Sequence, residues 1–311
     1  VSDHRVLRDS ALTALAPLIW GSTYLVTTEL LPPDRPLLAA TVRALPAGLI
    51  LLAWGRKLPR GSWWWRAAVL GLLNIGAFFY LLFLAAYHLP GGVAALVMAV
   101  QPTIVLGLSA LLLKARITPA HAVACALGIL GVGLLALTSH AALDAVGVGA
   151  GLLGAVSMAS GIVLTKRWGR PPAVGLLTFT GWQLTFGGLF LLPVTLVAEG
   201  LPEAVDGRNA VGFGYLGIVG ALFAYTMWFR GVERLPALAV SMLGFASPLA
   251  ATALGYLVLG ETLSPAQLAG SLLVVCAVVL VRPRTAGEGP GAGPSGPPPA
   301  PRRVRMISRA S

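Results

Sequence analysis

The chain has 311 residues, of which 57% are hydrophobic and only 11% charged, a composition outside the range of soluble domains. It excludes a soluble enzyme or a cytosolic binding module, because nearly all of the mass must lie in a bilayer. The net charge of +11 is gathered in short turns and a terminal tail, so it marks topology and calls for no nucleic-acid partner.

In chain order, a polar start from Ser2 to Ser10 leads into an apolar run too long for a cleavable signal segment. Stretches of about 17–25 apolar residues suffice to cross a hydrocarbon core. The chain offers ten: 11–30, 37–53, 67–87, 91–113, 119–138, 147–166, 173–198, 209–229, 236–259 and 264–281. The first carries Trp20, Ser22 and Thr23, and the second Arg43 and Pro46. Trp63, Trp64 and Trp65 beside Arg66 read as an interfacial anchor ahead of the third, which holds Asn74, Phe78, Phe79 and Tyr80. Gln101 and Pro102 lie halfway along the fourth. A link over 139–146 precedes the sixth, where Gly149 to Gly154 matches a dinucleotide-binding spacing. No strand precedes that run, so its glycines read as a helix-packing surface. The seventh span holds Trp182 and Gln183, the eighth Tyr225 and Trp228, and the ninth Ser241, Ser247 and Pro248. From 283 to 311 the chain turns to Gly, Pro and Arg, which predicts a disordered basic tail.

The chain repeats itself. Leu70 to Pro119 recurs as Leu216 to Pro265 at a constant offset of 146, pairing Pro102 with Pro248 and Thr118 with Ser264. An offset of 140 relates the second span to the seventh and sets Arg43 over Gln183. Five spans per copy is an odd number, so the second copy enters the membrane facing the other way, as in transporters built from inverted repeats. The expected division is residues 1–138, a link over 139–146, a second repeat over 147–282, and the tail. Nineteen of the 22 Lys and Arg fall on one side of the ten spans and only Arg35 and Arg208 on the other. Both termini are therefore expected in the cytoplasm.

Arg43 is the sharpest single residue, because a guanidinium inside a span costs about 2.5 kcal/mol or more unless it faces protein or water. It could hold a substrate carboxylate, cap carbonyls freed by Pro46 or Pro102, bond Gln101, or snorkel. Asn74, Gln101 and Gln183 are costly to bury without partners. Trp20 and Trp182 lie too deep for the interfacial belt, so with Tyr80 they are expected to line or wall a cavity. Pro102 and Pro248 are expected to kink equivalent helices. No acidic residue lies mid-membrane, which argues for facilitated passage over proton coupling. Cys125, Cys276 and the four histidines lack ligand spacing, so no metal or cofactor is expected. Nor is there a constellation of nucleophile and base that would make a membrane enzyme.

Trp20-Gly21-Ser22-Thr23-Tyr24, Arg43, and the block Leu259 to Pro265 with Gly270 resemble the drug/metabolite transporter superfamily in its ten-span EamA branch, with a closer likeness to YddG-type amino-acid exporters. The resemblance covers about residues 10–282 and implies two inverted five-helix repeats around a central cavity. It also implies outward transport of amino acids, aromatic ones included, across a bacterial inner membrane. Two departures stand out. Lys114-Ala115 replaces the turn Gly260-Glu261 of the second copy, and Leu18 stands where four-span relatives carry an essential carboxylate. The sequence thus predicts an all-α polytopic membrane protein, a monomer exporting amino acids and related metabolites. Trp20, Ser22, Arg43, Asn74, Tyr80, Gln101, Trp182 and Gln183 are its candidate substrate contacts. Export of another small metabolite or drug, with or without protons, is the alternative; a scaffold role is disfavoured by the lack of a folded appendage.

Overall fold

The computed structural model describes residues 3–33, 35–89, 96–136, 144–202, 204–260 and 264–281. Most of the inter-repeat link and the whole of the tail over 283–311 lie outside the described residues. Every regular element described is helical. The chain runs through α1 (Asp3–Gly21), α2 (Thr23–Leu30), α3 (Pro36–Gly55) and α4 (Trp63–Gly71). After the π-helical turn Leu72–Gly76 come α5 (Ala77–His88), α6 (Gln101–Leu113), α7 (Pro119–Ala136), α8 (Ala145–Trp168) and α9 (Leu176–Ala198). Then come α10 (Gly207–Gly217), the π-helical turn Ile218–Phe223, α11 (Ala224–Arg234), α12 (Ala237–Leu243), α13 (Ala246–Leu259) and α14 (Pro265–Leu280).

Seven helical stretches are long and apolar enough to cross a membrane: Pro36–Gly55, Trp63–Ala85, Leu96–Leu113, Ala145–Trp168, Leu176–Ala198, Gly207–Arg234 and Ala237–Val258. Two shorter apolar helices cover Pro119–Leu135 and Pro265–Leu280. The protein is a multi-pass membrane protein. Where the sequence predicts a span from residue 11, helix begins at Asp3 and breaks at Ser22. Leu18, Leu49, Ile50, Leu111 and Val197 are exposed, as a lipid-facing surface requires.

The helices pack in matched pairs. α3 crosses α9 and α7 crosses α14; α8 gathers α5 and α6 as α1 gathers α11 and α13. Lipid gives no hydrophobic drive between helices, so close backbone approach supplies the contact. A Cβ at Gly48 would stand 2.4 Å from the amide nitrogen of Thr185, and one at Gly188 would stand 2.6 Å from the Cβ of Leu45. Since 48 and 45 are 140 short of 188 and 185, the α3–α9 crossing is locally two-fold.

Irregularities recur at the offset of 146 as well. The π-helical turns start at Leu72 and Ile218. Backbone turns at Ala99–Val100 and, one residue out of that register, at Gly244–Phe245 interrupt the helices ahead of Pro102 and Pro248. The starts of α7 and α14 carry the same device. Ser264 and Gln267 form a reciprocal capping box, and Thr118 with His121 repeats it loosely at 3.4 Å each way. His121 therefore serves a helix start. Asp144 caps α8 by accepting from the Gly147 amide at 2.9 Å, and that hydrogen bond holds its carboxyl below the usual range. The folded pKa is depressed, so the cap is intact above about pH 4 and is lost only as pH falls through the lower folded value.

Helices α6 and α13 both end in a left-handed residue, Lys114 at φ 54° and Gly260 at φ 69°. The second copy uses the residue type that has no steric penalty there, whereas Lys114 is strained by about 1–2 kcal/mol. Lys114→Gly should therefore raise the thermal unfolding midpoint of the purified protein in detergent; an unchanged or lower midpoint would refute the strain.

Candidate functional site

Two buried polar nodes sit at the two π-helical turns, and each joins one half of the chain to the other. In the first, the Gly220 carbonyl accepts from Trp20 Nε1 at 3.0 Å and from Arg43 Nη2 at 3.0 Å. A carbonyl has two lone pairs, so it can serve both donors. Arg43 is only 5% exposed. Its guanidinium carbon lies 5.1 Å from the Phe79 ring centre and 5.9 Å from that of Tyr225. The Trp20 ring in turn lies 4.9 Å from Tyr225 and 5.2 Å from Trp228. A charge at membrane depth costs about 2.5–3.5 kcal/mol on insertion scales. A hydrogen bond to a charged group returns about 1.5–3 kcal/mol, and each aromatic face about 0.5–2. The two sides are comparable, which is why a guanidinium can rest here.

In the second node Asn74, within the turn Leu72–Gly76, donates through Nδ2 to Gln183 Oε1 at 2.8 Å and to Thr165 Oγ1 at 3.2 Å. Ser157 Oγ donates to the neighbouring Leu73 carbonyl at 2.9 Å. Asn74 and Gln183 are fully buried. Asn74 Oδ1 and Gln183 Nε2 have no partner among the described residues, and a buried unpaired group costs about 1–3 kcal/mol. The node thus offers one acceptor and one donor side by side. The nodes correspond, for Asn74 and Gly220 are 146 apart and Arg43 and Gln183 are 140 apart.

The structure distributes the remaining sequence candidates unevenly. Trp182 adjoins Gln183 in sequence but points elsewhere: its Nε1 donates to the Lys57 carbonyl at 2.8 Å, and its ring packs with Trp63 and Phe179. Ser22 stands at the break between α1 and α2, its hydroxyl 2.6 Å from that of Tyr215. Gln101 is half-buried, and its Nε2 has no partner among the described residues. Tyr80 is exposed on α5. Pro102 and Pro248 each lie just past a backbone turn.

Polar lacing closes both ends of the bundle. At the arginine-rich end, Arg230 meets Asp9 at 2.6 Å, Arg170 meets Glu233 at 2.6 Å, and Lys166 donates to the carbonyls of Glu233 and Leu235. At the other, the Glu199 carboxylate accepts from the amides of Leu37 and Leu38 at 2.7 and 2.8 Å, where the positive end of the α3 dipole favours an anion. Arg35 donates to the Glu199 carbonyl and Arg208 to that of Glu29. Sequence reasoning missed Gly220, Thr165, Glu199 and Asp9. Gly220 leaves no signal, since only its backbone acts. Glu199 and Asp9 were legible as lone carboxylates at span ends facing arginines. Among the described residues no cluster of His, Cys, Asp and Glu could hold a metal.

The sequence pattern of the EamA-like transporter family matches this chain twice, over residues 10–137 and 145–282. Protein PecM of Dickeya dadantii is 52% identical over 267 residues, covering 86% of this chain and 90% of its own. The "Uncharacterized inner membrane transporter YedA" of Escherichia coli K12 is 31% identical, with coverage of 85% and 87%. The "Probable amino-acid metabolite efflux pump" of Salmonella typhimurium is 26% identical, with coverage of 88% and 94%. One crystal structure of a protein superposes with a TM-score of 0.75 at 21% identity, over 88% of this chain and 96% of the other, which shows a shared fold.

Trp20→Phe keeps the ring and removes the indole donor. It should destabilise the protein by about 0.5–1.5 kcal/mol, read as a lower thermal midpoint; no shift would mean the Gly220 bond contributes nothing.

Proposed function

The chain belongs to the EamA-like transporter family, and on that premise we propose that it exports amino acids, aromatic ones included, and related small metabolites across a bacterial inner membrane. Its ten membrane spans act as two inverted five-span repeats, residues 1–138 and 147–282, joined by the link over 139–146. The protein works as a monomer with both termini and the tail in the cytoplasm, the arginine-rich end inward. The name of the Salmonella relative supports the substrate class and the direction.

The observation that carries the mechanism is the pairing of the two nodes across the halves. Rocking one half against the other must part Arg43 from Gly220 or Gln183 from Asn74, because each bond spans the halves. A substrate carboxylate is the natural replacement partner for the Arg43 guanidinium, in bidentate geometry. The rings of Trp20, Phe79 and Tyr225 around it suit an amphipathic guest. The Asn74–Gln183 pair offers a donor and an acceptor to the same guest or to a bridging water. Ser22, Tyr80, Gln101 and Trp182 complete or wall the path, and the turns before Pro102 and Pro248 are where the halves bend.

The test is uptake of labelled threonine, methionine and phenylalanine into liposomes holding the purified protein, with and without an imposed pH gradient. Saturable uptake indifferent to the gradient is expected. Accumulation only with a gradient would replace the facilitative mechanism by proton coupling, and failure of all three substrates would overturn the amino-acid reading. Arg43→Met should fold, because the Gly220 carbonyl keeps its Trp20 donor and the cost of a charge at membrane depth is removed with the guanidinium, yet it should lower uptake by about tenfold or more. Wild-type uptake in that variant would remove Arg43 from the site.

A further inference from the structure

At the arginine-rich end, α6, α7, α8 and α12 with the last turn of α14 enclose a cleft of about 500 Å³, within the range of about 300–1,000 Å³ usual for small-molecule sites. None of its lining residues belongs to the proposed substrate path. The walls are apolar, with Leu106, Leu238 and Leu280 among them, and the polar interruptions include Ser109, Arg116 and Lys166. No carboxylate is among the described residues lining it. Lys166 is pinned by two carbonyls, at 2.8 and 3.0 Å, which leaves one of its three protons for an incoming acceptor. Arg116 is exposed. Ser109 is 4% exposed, and its hydroxyl is buried with no partner among the described residues.

Apolar walls with a cationic mouth and a buried hydroxyl, on a protein surrounded by lipid, are complementary to one amphiphile above others. We propose that the cleft binds an anionic phospholipid, one acyl chain against the leucines, the phosphate between Arg116 and Lys166, and an ester oxygen accepting from Ser109. Basic pockets between membrane helices recognise anionic headgroups in this way. The chain's own tail, which begins just past Val281 at the cleft's edge, is the other candidate occupant. The five arginines over 283–311 make it a poor match to a cationic mouth.

Native mass spectrometry of the full chain, titrated with dioleoyl-phosphatidylglycerol and separately with dioleoyl-phosphatidylcholine, tests this. One phosphatidylglycerol should bind at least fivefold more tightly than phosphatidylcholine. Arg116→Gln should weaken phosphatidylglycerol about fivefold and leave phosphatidylcholine unchanged. Ala120→Phe, which fills the cleft from its lining, should weaken both. Equal binding of the two lipids, wild-type binding by Ala120→Phe, or an equal loss on Arg60→Gln, at an exposed arginine between α3 and α4 outside the lining, would overturn the proposal. A photo-reactive residue at position 120 should become linked to phospholipid in native membranes; linkage to residues 283–311 would make the tail the occupant and overturn it too.

Discussion

A guanidinium buried among apolar helices has to find its hydrogen bonds inside the protein, and that constraint organises the centre of this molecule. Arg43 meets it by reaching out of the first half of the chain to the Gly220 carbonyl in the second, where Trp20 donates as well. Gln183 meets the same constraint in reverse, reaching out of the second half to Asn74 in the first. Neither partner lies in regular α-helix, for both belong to π-helical turns, a local geometry that gathers at functional positions. Polar satisfaction therefore ties the halves to each other, where satisfaction within each half would have left them independent. A bundle tied in this way can change shape only by exchanging partners, and a carrier needs partners of that kind.

The correspondence between the halves is real but unequal in packing. Gly187 on α9 sits hard against Ile75 and Gly71, so close that an added Cβ would stand only 2.4 Å from the Ile75 side chain. The matching approach of α3 to α10 and the second π-helical turn is looser. It leaves a lipid-facing groove of about 230 Å³ between Val42, Pro46, Gly217 and Ile218. Two copies of one plan, packed tightly at one interface and loosely at the other, fit a single state of the alternating cycle proposed above. The glycines at the α3–α9 crossing allow the axes to stay in contact without interlocking side chains.

Much of this was legible in the sequence, and the parts that were not share a cause. The offset of 146 already paired the positions of the two π-helical turns, the two proline breaks and the two left-handed helix ends, because each depends on residues that recur. Arg43 and Gln183 stood out as costly polar groups, and the offset of 140 set one over the other. What the sequence hid was the identity of their partners. Gly220 contributes a backbone oxygen, which no residue type announces. Trp182 read as equivalent in depth to Trp20, yet one step along a helix rotates a side chain by about 100°, and its indole turns to Lys57. The start at Asp3 was obscured by charges that serve as an end lock, with Asp9 held by Arg230.

Alternation between the two ends is the central claim, and paired spin labels read it directly. Leu7 and Leu111 are exposed at the arginine-rich end, and Val146 and Leu257 at the other, with Leu111 and Leu257 related by the offset of 146. Double electron–electron resonance on the protein in nanodiscs, with and without saturating phenylalanine, should show the two distances changing in opposite directions by several ångströms. Distances that move together, or that stay fixed while the same protein transports phenylalanine, would contradict the account.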